Sequence, residues 1–168
     1  MDAFKPDVVL MVFGGWDELD HLVNGRTLVA GTPEWDAFVL DGLQKQFELL
    51  TSQGAKLALA TFPCTKPVLW ELDPKIDELE AETLWREGEL NGLYRQFAEQ
   101  HPDKVSLIDL NSFVCPEGKF TDLVIDGVRM REDGVHFTSN SSYVVADWLA
   151  PQIAQMATGA PIPLGPNP

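Results

Sequence analysis

The chain has 168 residues, 45% hydrophobic and 23% charged, with a formal net charge of −14. That is room for one domain with a substantial core, in the balance of a globular protein rather than a disordered one. The acidic excess argues against nucleic acid or anionic membrane surfaces as partners, because both need a basic footprint, and a solvated surface that aids solubility accounts for it. No apolar run approaches the roughly 20 residues of a membrane helix, and residues 1–7 lack the charged start and cleavage site of a secretory leader.

In chain order, Val8 to Phe13 is apolar throughout, the pattern of a parallel strand covered on both faces. The glycine turn Gly14-Gly15-Trp16-Asp17 follows it. Thr32-Pro33-Glu34 reads as a helix start, and Trp35, Phe38, Val39, Leu43, Phe47 and Leu50 keep helical spacing up to Gly54. Lys56 to Phe62 is a second strand, followed by Pro63-Cys64-Thr65. Lys66 to Thr83, acidic and carrying Pro67 and Pro74, reads as an irregular excursion or a flap. A second helix spans Leu84 to Gln100, with Leu90, Leu93, Tyr94 and Phe97 on its inner stripe. Val105 to Leu110 is the third strand, and Asn111 to Cys115 lies beyond it. The last helix starts near Ser139 and carries Tyr143, Val144, Trp148 and Leu149.

This alternation predicts an α/β three-layer sandwich with a short parallel sheet over residues 1–157. Residues 158–168 read as a loose proline-rich tail. A first strand this apolar expects neighbours on both sides, so the pattern suggests that one or more strands are missing upstream of Met1.

In open α/β sheets, ligands gather beyond the carboxyl ends of the strands. The Gly14–Asp17 turn, Cys64, Cys115 and the pair Asp133 and His136 should all converge there. A carboxylate three residues before a histidine can fix the imidazole tautomer and stabilise the imidazolium. The same spacing also fits a turn aspartate and a half-buried histidine ahead of a helix capped by Thr138 or Ser139. His21 and His101 read as surface residues. Gly14 and Gly15 form either a tight turn or a place where backbone N–H groups meet a developing oxyanion. Cys64 and Cys115 follow adjacent strands and are either a disulfide or two buried thiols. Bonded, they would point to an oxidising compartment, against the missing leader. Asp109, Asp126, Asp133 and His136 lack the spacing of a cation site, so no metal and no cofactor is expected.

Three stretches carry a family resemblance: Gly14-Gly15-Trp16-Asp17, Arg86 to Tyr94 with its Leu90-Asn91-Gly92-Leu93-Tyr94, and Asp126 to Thr138 ending in Asp133-Gly134-Val135-His136-Phe137-Thr138. Together, over roughly residues 5 to 157, the chain resembles an SGNH (GDSL-type) hydrolase of flavodoxin-like fold. More narrowly, it is similar to the SGNH domain fused to integral-membrane acyltransferases that O-acetylate cell-surface glycans. The resemblance implies His136 as general base, Asp133 as its orienting carboxylate, and Gly14, Gly15, Trp16 and Asp17 at the oxyanion block. Trp16 stands where the family has an asparagine, and a backbone N–H near Gly15 is the remaining donor. The family's Gly-Asp-Ser turn is absent, and the serines are Ser52, Ser106, Ser112, Ser139, Ser141 and Ser142.

The implied partner is an acyl-ester or glycan substrate, with a membrane acyltransferase domain as parent or associate. That parentage would place the chain outside the cytoplasmic membrane, whereas the lack of a leader reads as cytosolic. The competing readings are an inactive binding module that keeps the cleft, and a metal-dependent phosphoesterase for which acidic ligands are too few.

Overall fold

The computed structural model describes residues 5–13, 15–66 and 73–159. Its elements in chain order are β1 (Val8–Met11), β2 (His21–Val23), β3 (Arg26–Leu28), α1 (Pro33–Thr51), β4 (Lys56–Ala60) and α2 (Ile76–Gln100). β5 (Val105–Ile108), α3 (Leu110–Val114), β6 (Val124–Ile125), β7 (Val128–Arg129) and α4 (Ser139–Thr158) complete them. β1, β4 and β5 form one parallel sheet in that spatial order, with Leu10 opposite Ala58 and Ala58 opposite Ser106.

The alternation along β4 sorts the helices into layers. Leu57 and Leu59 are fully buried towards α1 and α2, among Trp35, Leu43, Phe47, Leu90 and Phe97. Ala58 and Ala60 face the opposite side, where α3 and α4 bring Leu110, Val114, Val145 and Trp148. Burying each of those leucines contributes about 2 kcal/mol. The small alanines let α4 come close to the sheet. The result is the expected α/β sandwich around a short parallel sheet.

The helices start where their caps dictate. Thr32 accepts the Trp35 N–H, with Pro33, Glu34 and Asp36 filling the first turn of α1. Trp35, Val39, Leu43 and Phe47, four residues apart, make the buried stripe. Thr138 and Ser141 form a reciprocal capping box at the start of α4, which Gly159 ends with a left-handed cap at φ 70°.

Several expectations need correction. α2 begins at Ile76, not Leu84, so the last eight residues of the supposed irregular excursion are helix. Asp77 and Glu78 favour its positive N-terminal end, but its opening turns are largely solvated and show no apolar stripe. Two hairpins, β2–β3 and β6–β7, were not anticipated. Their turns, Asn24-Gly25 and Asp126-Gly127, have φ of 51° and 77°, and of 50° and 79°. Positive φ at both central residues is the two-residue hairpin turn for which Asn-Gly and Asp-Gly are the usual sequences. α3 occupies residues expected to be loop, because the Asp109 side chain accepts the Ser112 N–H and caps it.

Neither His21 nor His101 is a plain surface residue. Both are half-buried, His21 against Phe38 at 4.9 Å and His101 against Phe97 and Phe47 at 4.4 and 4.8 Å between ring centres. Tyr143 faces solvent, so the inner stripe of α4 runs through Val144, Val145, Trp148 and Leu149 instead. Gly14, residues 67–72 of the proposed flap and residues 160–168 of the tail lie outside the described residues.

Asn91, in the middle of α2, is buried and holds the end of β4. Its Oδ1 accepts the Phe62 N–H at 2.7 Å, and its Nδ2 donates to the Phe62 carbonyl at 2.9 Å. Asn111 also donates to that carbonyl, so only the N–H would be orphaned by truncation. Asn91→Ala should lower the unfolding free energy by about 1–3 kcal/mol. Urea denaturation would check this, with a change below about 0.5 kcal/mol counting against the role.

Candidate active site at the carboxyl edge of the sheet

Beyond β4 the chain runs buried but without secondary structure, and each backbone N–H is claimed by a different neighbour. Thr61 donates to the Ile108 carbonyl at 2.9 Å, Phe62 to Asn91, and Thr65 to Glu87 Oε1 at 2.7 Å. The Cys64 N–H points at Cys115 Sγ at 2.9 Å, and Lys66 donates to the Gly134 carbonyl at 3.0 Å. Pro63 has no N–H to satisfy. Cys64 and Cys115 are joined by a disulfide, with Cα atoms 6.0 Å apart.

Asp133 and His136 face each other on the turn leading into α4. Asp133 Oδ2 lies 2.7 Å from His136 Nδ1. Asp133 Oδ1 accepts the Val135 and His136 N–H groups at 2.9 and 2.7 Å. These bonds, the His136 ring first and the two backbone groups after it, hold the Asp133 carboxyl at a pKa of about 2. The His136 side chain is 81% exposed, and Nε2 has no hydrogen-bond partner among the described residues. A histidine held at Nδ1 by a carboxylate, with Nε2 open, is arranged to take a proton from an incoming hydroxyl.

None of the six serines bonds to His136 among the described residues. Ser52 caps α1 through the Leu49 carbonyl, Ser112 bonds Asp109, and Ser141 belongs to the α4 capping box. Ser106 lies within β5, and Ser139 and Ser142 lie in the first turn of α4.

The structure brings Phe137, next to His136, and Val12, just past β1, to one apolar groove shared with Leu10, Trp148 and Leu149. The turn after β1 therefore lies at the same end of the sheet as the pair. Trp16 projects into solvent, 82% exposed. Asp17 lines a separate cavity with Phe13, His21, Phe38 and Tyr94. A Cβ on Gly15 would meet the Phe62 ring at 3.4 Å, ordinary contact, so packing alone does not require glycine there. The loop is pinned by Trp35 Nε1 donating to the Leu19 carbonyl at 2.9 Å, and by Arg86 paired with Asp20 at 2.8 Å.

Three buried charged side chains at this edge escaped sequence reasoning. Glu87 is 2% exposed and accepts both the N–H and the hydroxyl of Thr65. Burial above all raises its pKa to about 8, with nearby Glu18 adding to the rise. Glu18, also buried, is raised to about 7 by loss of water, against the pull of Arg86. Arg131 is 3% exposed, and burial lowers its pKa to about 10, so it stays charged at neutral pH. The signal for Glu87 was available: it sits one turn before Leu90 and Asn91, on the face of α2 that turns inward.

Over residues 1–152 the sequence matches the model of a protein family of unknown function, DUF459. The chain belongs to the DUF459 family. No curated protein matches its sequence. A crystal structure of a candidate acylhydrolase from Bacteroides fragilis matches this DUF459 chain with a TM-score of 0.59 at 18% identity. The match covers 90% of this chain and 63% of that one, so the chain spans less than two thirds of the length of its structural relative. At that identity the likeness is one of fold alone. No helix among the described residues is long and apolar enough to cross a membrane.

The buried acids make stability depend on pH in a definite direction. Below about pH 4.5, Glu87 carries its proton in both folded and unfolded chains. Between about 4.5 and about 8 the unfolded chain releases that proton while the folded protein keeps it. Stability is therefore lost as pH rises through that window and levels off above it. Glu87→Gln keeps an acceptor for Thr65 and removes this titration. Its Tm should fall less than that of wild type between about pH 5 and about pH 8, by about 3 °C or more. Parallel Tm curves from scanning calorimetry would mean that Glu87 is ionised in the folded protein.

Proposed function

We propose that this chain is the base-bearing part of an SGNH-type serine esterase or acyltransferase acting on acyl esters of glycans, acetyl esters foremost. The observation that carries the reading is the 2.7 Å contact between Asp133 Oδ2 and His136 Nδ1, with Nε2 left open at the ligand edge of the sheet. The fold shared with a candidate acylhydrolase supports it.

In this mechanism His136 Nε2 takes the proton of a serine hydroxyl as the oxygen attacks the ester carbonyl. Asp133 holds the ring through Nδ1–H and stabilises the imidazolium that forms. His136 then returns the proton to the leaving alcohol. A second cycle passes the acyl group to water or a sugar hydroxyl, with the proton of that acceptor going first to His136. The oxyanion donor is assigned to the backbone near Gly15, since Trp16 has no side-chain amide to offer. The nucleophile is assigned to a Gly-Asp-Ser turn that residues 1–168 do not contain, supplied by an upstream segment of a longer protein or by an associated one. Within the reading, a membrane-embedded acyltransferase domain is the natural acyl donor.

A second reading is favoured because no serine bonds to His136 among the described residues: an inactive module that keeps a glycan-binding cleft. The reading frame upstream of Met1 separates the two. A Gly-Asp-Ser codon run there, in a protein that hydrolyses p-nitrophenyl acetate, supports the esterase. His136→Ala should then lower kcat/KM by about 10³-fold or more, because members of a triad act as a unit. The 168-residue chain alone should show no turnover above its own His136→Ala control. Turnover by that chain that depended on His136 would put the nucleophile among the present serines. An extended protein whose activity ignored His136→Ala would favour the binding module.

A further inference from the structure

The Asp133–His136 pair is organised on two levels. Its internal geometry is local, since Asp133 bonds the ring and two backbone N–H groups of its own turn. The turn could move as a unit and keep all three bonds. What fixes the turn against the sheet lies two residues upstream.

Arg131 runs inward from the turn. Its Nη1 donates to the Cys64 carbonyl, and its Nη2 donates to the Val114 carbonyl at 2.9 Å. The guanidinium lies over the Phe120 ring at 4.8 Å, with Nη2 at 3.7 Å from Sγ of both Cys64 and Cys115. The two carbonyls belong to separate segments, one following β4 and the other ending α3. The Cys64–Cys115 disulfide is the covalent tie between those segments. On the other side of the turn, the Lys66 N–H donates to the Gly134 carbonyl.

No salt bridge to Arg131 exists among the described residues, and its buried Nε has no hydrogen-bond partner. A buried guanidinium without an ion pair is costly, so core packing alone is a poor reason to keep one. An apolar side chain would fill the space with less penalty. What the guanidinium supplies is a fork that reaches two carbonyls at once.

We propose that Arg131, gripping the two carbonyls that the Cys64–Cys115 disulfide keeps together, is the positioning residue that docks the Asp133–His136 turn on the sheet edge. Reduction of that disulfide by a dithiol loosens the dock. One thiolate of the dithiol attacks a protein sulfur, the Cys64–Cys115 bond breaks, and a mixed disulfide forms. The second thiol displaces it. The dithiol leaves as a cyclic disulfide, and the protein gains the two electrons and two protons that the dithiol lost. Cys64 borders a cavity of about 300 Å³ with Lys66, Glu87 and Phe120, the nearest approach for the reagent. The catalytic meaning of the dock rests on His136 being the base; the dock itself does not.

Amide hydrogen exchange by NMR tests the dock, with the ring 15N signals of His136 recorded alongside. In Arg131→Met the Lys66 amide should exchange about tenfold faster or more, as expected of a local opening rather than a global one. Leu57 and Leu59 amides in β4 should stay within about twofold of wild type, and the Nδ1–H pattern of His136 should persist. Arg131→Lys, with one ammonium for the fork, should fall between the two. Dithiothreitol, and the double variant Cys64→Ala/Cys115→Ala, should reproduce the Lys66 change.

Unchanged Lys66 exchange in folded Arg131→Met and in the reduced protein would overturn the proposal. So would equal acceleration of every amide, which marks a general structural role. Should Arg131→Met fail to fold, Arg131→Lys and the reduced wild type carry the test, and unchanged Lys66 exchange in both would overturn it. None of these readouts needs turnover. The predicted exchange pattern, found beside an upstream-extended protein whose ester hydrolysis ignored His136→Ala, would leave the dock standing and defeat the esterase reading.

Discussion

A buried stretch of backbone without helix or strand must find every hydrogen bond elsewhere, and the molecule is arranged around one such stretch. Thr61 to Lys66 leaves the central strand and takes its partners from β5, from Asn91 and Glu87 on α2, from Cys115 beyond α3, and from Gly134 on the histidine turn. Four parts of the chain thereby meet at one point. The candidate base lies beside that point because its turn supplies one of the partners. Geometry at the site is thus a by-product of satisfying a short piece of main chain.

The same requirement explains why charge is buried in a protein whose surface is already strongly acidic. Glu87 is inside because Thr65 needs an acceptor, and burial is tolerated because the carboxyl keeps its proton well above the usual carboxylate range. Arg131 is inside because two carbonyls need a donor, and it remains a cation. Glu18, close to the turn after β1, is raised to about 7 by burial and so is only partly ionised at neutral pH. The edge of the sheet is therefore less negative at neutral pH than its formal charges imply.

Much of the architecture could be read from local pattern. The strands announced themselves as apolar runs, α1 through Thr32-Pro33 and its four-residue stripe, and Asp133–His136 because both partners lie on one turn. The two hairpins were equally local. Asn24-Gly25 and Asp126-Gly127 carry the turn signal, but their strands are only two or three residues long and show no alternation to draw the eye. The first turns of α2 were hidden for the opposite reason, since a solvated helix end lacks a stripe. Asn91, Glu87 and Arg131 could not be assigned roles from sequence, because their partners are 17 to 67 residues away. His21 and His101 misled because an imidazole in polar sequence can still pack against an aromatic ring.

β1 has a partner on one side only among the described residues, although it is apolar along its length. An apolar groove with Leu10, Val12 and Trp148 flanks one face, and Phe13, just past the strand, lines a second cavity with Phe38. An unpaired margin of this kind is a template for edge-to-edge pairing between copies, and mutual repulsion of surfaces carrying −14 each opposes it. Added salt shortens the range of that repulsion and leaves the apolar attraction intact. Ionic strength therefore governs how strongly charge opposes contact between two such margins.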